Sequence, residues 1–121
     1  MRSSMSIEHV LAVLPVNDIR AANAFYEQLF GRPADNNPMP VLVEWQLLPN
    51  AWLQVSVDRQ RAGSGQFNLA VDDLAGHLSE LQQRGMTVGE IQPVNKGVEL
   101  STLTDPDGNT ITLIGNFRVE Y

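Results

Sequence analysis

A chain of 121 residues, 43% of them hydrophobic, has the size and composition of one soluble domain that buries roughly 65% of the surface its unfolded form exposes. Eight Lys and Arg against fourteen Asp and Glu give a formal charge of -6, which argues against a nucleic-acid partner because phosphate contacts need a basic surface. The absence of cysteine excludes disulfides, thiolate zinc sites and cysteine nucleophiles; no apolar run suits a bilayer span and Met1 to Ser6 lacks the core of a signal peptide, so a cytoplasmic protein without a membrane partner is expected.

In chain order, Ile7 to Val16 reads as a buried strand with Pro15 near its end. Asp18 is placed to cap a helix whose apolar stripe is Ile19, Ala22, Phe25, Tyr26, Leu29 and Phe30, and Gly31 suits a left-handed stop. Arg32 to Pro40, rich in proline and asparagine, reads as a loop with room for a short edge strand. Val41 to Leu48 and Ala51 to Asp58 read as strands around a Pro49-Asn50 turn, and Arg59 to Gly65 as a polar linker.

The pattern then starts again. Gln66 to Val71 is a strand, Asp72 or Asp73 caps a helix with Leu74, Leu78 and Leu81 at helical spacing, and Gly85 ends it. Val88 to Gln92 reads as a strand, Pro93 to Gly97 as a turn, and Val98 to Thr104 leads into a hairpin at Asp105-Pro106-Asp107-Gly108-Asn109. Beyond that turn Thr110, Thr112 and Ile114 alternate with Ile111 and Leu113, giving a hydroxyl-bearing face and an aliphatic one. Val16-Asn17-Asp18-Ile19 matches Val71-Asp72-Asp73-Leu74 in register. The expectation is an α+β fold in a single domain over 1–121. Two repeated βαβββ modules, about 7–58 and about 66–117, form a curved mixed sheet, with helices on the outer face and a cleft on the other.

Val16-Asn17-Asp18-Ile19 through Phe25-Tyr26, then Leu29-Phe30-Gly31, resembles the first-module signature of the vicinal oxygen chelate superfamily, which includes glyoxalases, bleomycin-resistance proteins and extradiol dioxygenases. Asp105 to Asn109 followed by Ile111 and Leu113 is similar to that family's last hairpin, and the resemblance covers nearly the whole chain. It implies a divalent metal in the cleft with one ligand from each of four strands. Those positions fall here on Leu11, Gln54, Gln66 and Thr112, where imidazole and carboxylate donors would be needed. The inherited metal site is therefore expected to be absent, with no cofactor. A displaced divalent site would need His9, on the same strand face as Leu11, with Gln54, Gln66 and Glu99. The last of these reaches the cleft if Gly108-Asn109 is a two-residue turn. Glu44 is expected to face away.

Without a metal, the parity set by Gln54 puts Trp52 and Ser56 in the cleft. A two-residue Pro49-Asn50 turn would set Val43, Trp45 and Leu47 opposite them, with Gln66, Asn68, Thr110 and Thr112 adding amides and hydroxyls. The expected function is metal-free binding or sequestration of a small aromatic or cationic molecule by a homodimer. The alternative is a metal-dependent lyase, isomerase or dioxygenase of the same superfamily.

Overall fold

The computed structural model describes residues 6–120; the stretch from Met1 to Met5, and with it most of the terminal segment discussed above, lies outside the described residues. Apolar alternation organises β1 (Val10–Val16). Ala12, Leu14 and Val16 turn inward, while Leu11, Val13 and Pro15 take the other face. Asp18, in extended conformation, accepts from the Arg20 amide at 2.9 Å and starts α1 (Ile19–Phe30). Gly31 ends that helix at φ 72°, a left-handed conformation that glycine adopts without a Cβ clash. The buried stripe Ala22, Tyr26 and Leu29 lies against β3 (Leu42–Leu48) and β4 (Ala51–Val57), which follow a short β2 (Asn36–Met39).

The second module repeats the order. β5 (Gln66–Val71) leads to α2 (Leu74–Gln83), capped by Asp73, whose carboxylate accepts from the Gly76 amide. The segment from Val88 was expected to be a strand, but only β6 (Gln92–Pro93) pairs, before a 3-10 turn at Asn95–Gly97. β7 (Glu99–Thr104) and β8 (Thr110–Gly115) complete the module. The result is two four-stranded mixed sheets, ordered β1-β4-β3-β2 and β5-β8-β7-β6. In each, the first strand of the module runs parallel to the last and the remaining pairs are antiparallel. One apolar cluster, including Leu14, Tyr26, Trp45, Leu53, Leu81, Ile111 and Leu113, runs through both modules on the helix-facing sides.

A buried polar latch ties the modules together. Asp105 accepts from the amides of Asp107 and Asn109 at 2.9 Å, and from the Tyr26 hydroxyl and the Asn109 side chain at 2.8 Å. Asn109 also donates to the Pro15 carbonyl and accepts from the Gly65 amide, both at 2.7 Å, while Asp107 takes the Asn17 backbone and side-chain N–H groups. The last hairpin of one module is thus fixed to the β1–α1 junction of the other. Burial, together with the neighbouring Asp105 carboxylate, pushes the Tyr26 phenol well above its ordinary value and keeps it a donor. Gly63, at φ 88°, lies so close to the Asp107 carbonyl that an added Cβ would overlap it, which ties the linker to the same loop. At the far end of α1 the Arg84 guanidinium donates to the Gln28 and Leu29 carbonyls at 3.0 Å, supplying partners that a helix C-terminus lacks.

Both hairpins differ in register from the expectation, and the difference decides which side chains share a face. Leu48 pairs with Ala51 as a two-residue turn requires, but the ladder then shifts, so that Gln46, rather than Leu47, lies opposite Trp52 and Glu44 opposite Gln54. One extra residue in a strand moves every later side chain to the other face. Val43 and Trp45 consequently point to the helices, with Trp45 0% exposed, and Leu47 also packs at the edge of the core. In the last hairpin Thr104 pairs with Thr110 across a five-residue loop, so Glu99 lies opposite Gly115 on the helix-facing side rather than in the cleft.

Candidate functional site

The open face of the first module, away from the helices, carries Leu11, Val13 and Pro15 from β1, Trp52, Gln54 and Ser56 from β4, and Glu44 and Gln46 from β3. Polar residues alternate here with the buried Leu53 and Val55, which anchor β4 from below. Trp52 is braced at its polar edge. Its indole N–H donates to His9 Nδ1 at 3.1 Å, and the two rings meet edge-on with centroids 6.3 Å apart. The Glu44 carboxylate accepts from two neutral donors, the side-chain amides of Gln54 and Asn36. No Arg or Lys pairs with it among the described residues. Nearby, Arg32 holds Asp35 through two 2.8 Å contacts and reaches the Gln46 carbonyl at 2.6 Å, fixing the loop beside β3. Those Arg32 bonds, with the Gln46 amide, keep the Asp35 carboxyl below its ordinary range.

The open face of the second module is hydroxyl-rich. Gln66 and Asn68 of β5 stand exposed beside Thr110 and Thr112 of β8, and the Thr112 hydroxyl lies 3.1 Å from that of Thr102. Of the expected wall, then, Trp52, Gln54 and Ser56 share one open face, Gln66, Asn68 and Thr112 share the other, and His9 adjoins Trp52. Trp45 and Glu99 belong to neither. Trp45 lies instead among Tyr26 and Phe30, with its indole N–H on the Arg32 carbonyl at 3.1 Å.

The four positions where the fold family would hold a metal do not make a divalent-metal donor set. Leu11 has no ligating atom, the Gln54 amide is turned to Glu44, Gln66 offers only a neutral amide, and Thr112 is engaged with Thr102. Glu99 has left the face on which the displaced alternative depended. No group of three or more His, Cys, Asp or Glu with metal-binding geometry occurs among the described residues. Glu44, expected to face away, lies on the open face, and Gln46, for which there was no expectation, lies there beside it.

The sequence profile of the glyoxalase-like domain matches residues 11–114. The chain belongs to the glyoxalase-like domain family. Its two-module fold and its resemblance to the vicinal oxygen chelate superfamily agree with that membership. A glyoxalase/bleomycin resistance protein from Catenulispora acidiphila DSM 44928 superposes with a TM-score of 0.83 at 30% identity, covering 88% of this chain and 96% of that one. A bleomycin-binding protein complexed with bleomycin gives 0.74 at 22% identity, over 90% and 98% of the two chains. A lactoylglutathione lyase from Agrobacterium tumefaciens gives 0.75 at 19%, over 94% and 96%. No functionally curated protein matches the sequence. The glyoxalase-like fold thus stands on both sequence and structure. No described helix is long and apolar enough to cross a membrane.

Proposed function

We propose that this glyoxalase-like protein binds a planar aromatic cation on the open face of its first module and holds it without turnover. The observation that carries the reading is that Trp52 and Glu44 share that face, with Glu44 held by neutral donors alone. Glu44 sits across from Gln54, one same-face position along from Trp52, so the two side chains are diagonal neighbours roughly 7–8 Å apart at the backbone. A flat cation stacked on the indole would bring its charge towards the carboxylate, combining ring stacking with charge attraction. His9 fixes the indole edge and lowers the cost of ordering it. The fold shared with a bleomycin-binding protein is consistent with a binding role. The cysteine-free composition suits a cytoplasmic setting.

The test is calorimetric titration with proflavine, a planar cation, and with acridone, a neutral molecule of similar outline. Proflavine should bind one to one and at least about 5-fold more tightly than acridone, and Glu44→Gln should narrow that gap. Equal affinities, or no saturable heat with proflavine, would remove the support for the reading.

The donor set at Leu11, Gln54, Gln66 and Thr112 leads to a second expectation. Elemental analysis of the purified protein after mild dialysis should find well below one divalent metal per chain. Near-stoichiometric zinc, nickel, iron or manganese would favour the metal-enzyme alternative instead. A homodimer belongs to the same proposal. On the open face of β1, Leu11 and Val13 are 49% and 56% exposed, an apolar edge that a second copy would cover. Sedimentation at micromolar concentration should give twice the mass of the chain, and a clean monomer would count against a cleft shared between two copies.

A further inference from the structure

Where the helix-facing sides of the two modules meet, the core stops short and leaves a crevice of about 420 Å³. Phe30 comes to it from the end of α1, Leu47 from β3, and Phe67, Leu69 and Val71 from the inner side of β5. These five side chains pack against the buried cluster while remaining only partly buried themselves, so carbon surface that a closed core would cover stays open. Besides Trp52, whose indole N–H is taken by His9, the polar side chains in the lining are Asn68 and His77, the latter from α2. Neither makes a side-chain hydrogen bond among the described residues, and no Asp, Glu, Lys or Arg lines the crevice.

We propose that this crevice is a second ligand site, bordering the open face at Trp52 and Asn68 but centred on the helix-facing side, for a neutral molecule with an aromatic or branched apolar body and one hydroxyl group. Its volume lies in the lower part of the range of small-molecule pockets, about 300–1,000 Å³. It is too small for a helix, which with its side chains is about 10 Å across. Charge is disfavoured because an ion would lose its water against carbon walls with no charged partner. A hydroxyl suits His77, because a neutral imidazole presents one donor and one acceptor, and an alcohol or phenol can use either. The apolar body would cover Phe67 and Leu69, so burial supplies the affinity and the hydroxyl fixes the orientation. This inference rests on the module junction, and Trp52 is the one residue it shares with the proposed open-face site.

The experiment titrates methyl-labelled protein with 2-naphthol and, separately, with naphthalene, following chemical shifts. Both probes should produce saturable shifts at the Leu47, Leu69 and Val71 methyls. The naphthol should bind about 2- to 10-fold more tightly, the worth of one neutral hydrogen bond. In His77→Leu, which keeps an apolar side chain of similar reach, that preference should fall to less than about 2-fold. If this variant does not fold, the methyl mapping in the wild type decides by itself. Methyl shifts confined to Leu11 and Val13 of the open face, no saturation (as when a second copy of the chain fills the crevice), or an undiminished preference in folded His77→Leu would overturn the proposal.

Discussion

Replacing Asp105 with alanine should destabilise the protein by about 3–5 kcal/mol, because it removes the common acceptor of a buried cluster. The Tyr26 hydroxyl and the Asp107 and Asn109 amides would lose their partner together, and only the Asn109 side chain would keep another, the Pro15 carbonyl. Tyr26→Phe should cost less, about 1–2 kcal/mol, since Asp105 retains three donors. Urea unfolding of both variants measures this order. Comparable losses, or a loss below 1 kcal/mol for Asp105→Ala, would mean that the latch does not hold the modules together. The raised Tyr26 pKa adds a pH signature. Above about pH 10, the ordinary ionisation point of tyrosine, the unfolded chain gives up the phenolic proton while folded Tyr26 keeps it. The folded state then binds more protons than the unfolded one, so stability falls as pH rises. The stability added by the raised pKa is fully present below that point, and Tyr26→Phe should flatten the alkaline decline.

Trp45→Ala should also cost about 3–5 kcal/mol, the usual range for emptying a buried aromatic site. The ring is fully enclosed, its centroid lies 5.6 Å from that of Phe30 and 6.2 Å from that of Tyr26, and its indole N–H has a partner in the Arg32 carbonyl. Trp52→Ala should instead change stability by about 1 kcal/mol or less, because the residue is only half-buried on the open face. Thermal melts of the two variants separate a core tryptophan from a wall tryptophan. A Trp45→Ala protein as stable as the wild type but with weakened proflavine binding would restore Trp45 to the ligand wall.

The contrast between the two tryptophans also shows where the sequence was legible. Helix boundaries were readable because the caps are chemical: Asp18 and Asp73 accept helix N–H groups, and Gly31 adopts the conformation glycine tolerates best. The module repeat was readable from the match of Val16-Asn17-Asp18-Ile19 to Val71-Asp72-Asp73-Leu74, and the aliphatic face of Ile111 and Leu113, both buried, from alternation. Gln54, Trp52 and Ser56 were placed together by the same alternation within one strand. Pairing between strands was not readable from turn residues alone, because one irregular residue near Leu47 reverses parity. A stronger signal was present. Glu44 and Gln46 alternate with Val43 and Trp45 as Gln54 and Ser56 do with Leu53 and Val55, and matching polar face to polar face would have required the shift. The latch was invisible for a different reason. Tyr26 fits an apolar helical stripe, and nothing local shows that its hydroxyl meets a carboxylate far along the chain.

The central claim, a stacking site on the open face that works by binding, is tested most directly by titrating proflavine into wild type, Trp52→Ala and Gln54→Ala, with folding of each confirmed by thermal melts. Loss of the stacking ring should weaken binding by about 1–3 kcal/mol. Gln54→Ala, which removes one neutral hydrogen-bonding group beside Glu44, should weaken it by about 0.5–1.5 kcal/mol. The account predicts that order, with Trp52→Ala the weaker binder. It is contradicted if Gln54→Ala abolishes function while Trp52→Ala merely shifts affinity, the order expected when residue 54 serves as a metal ligand.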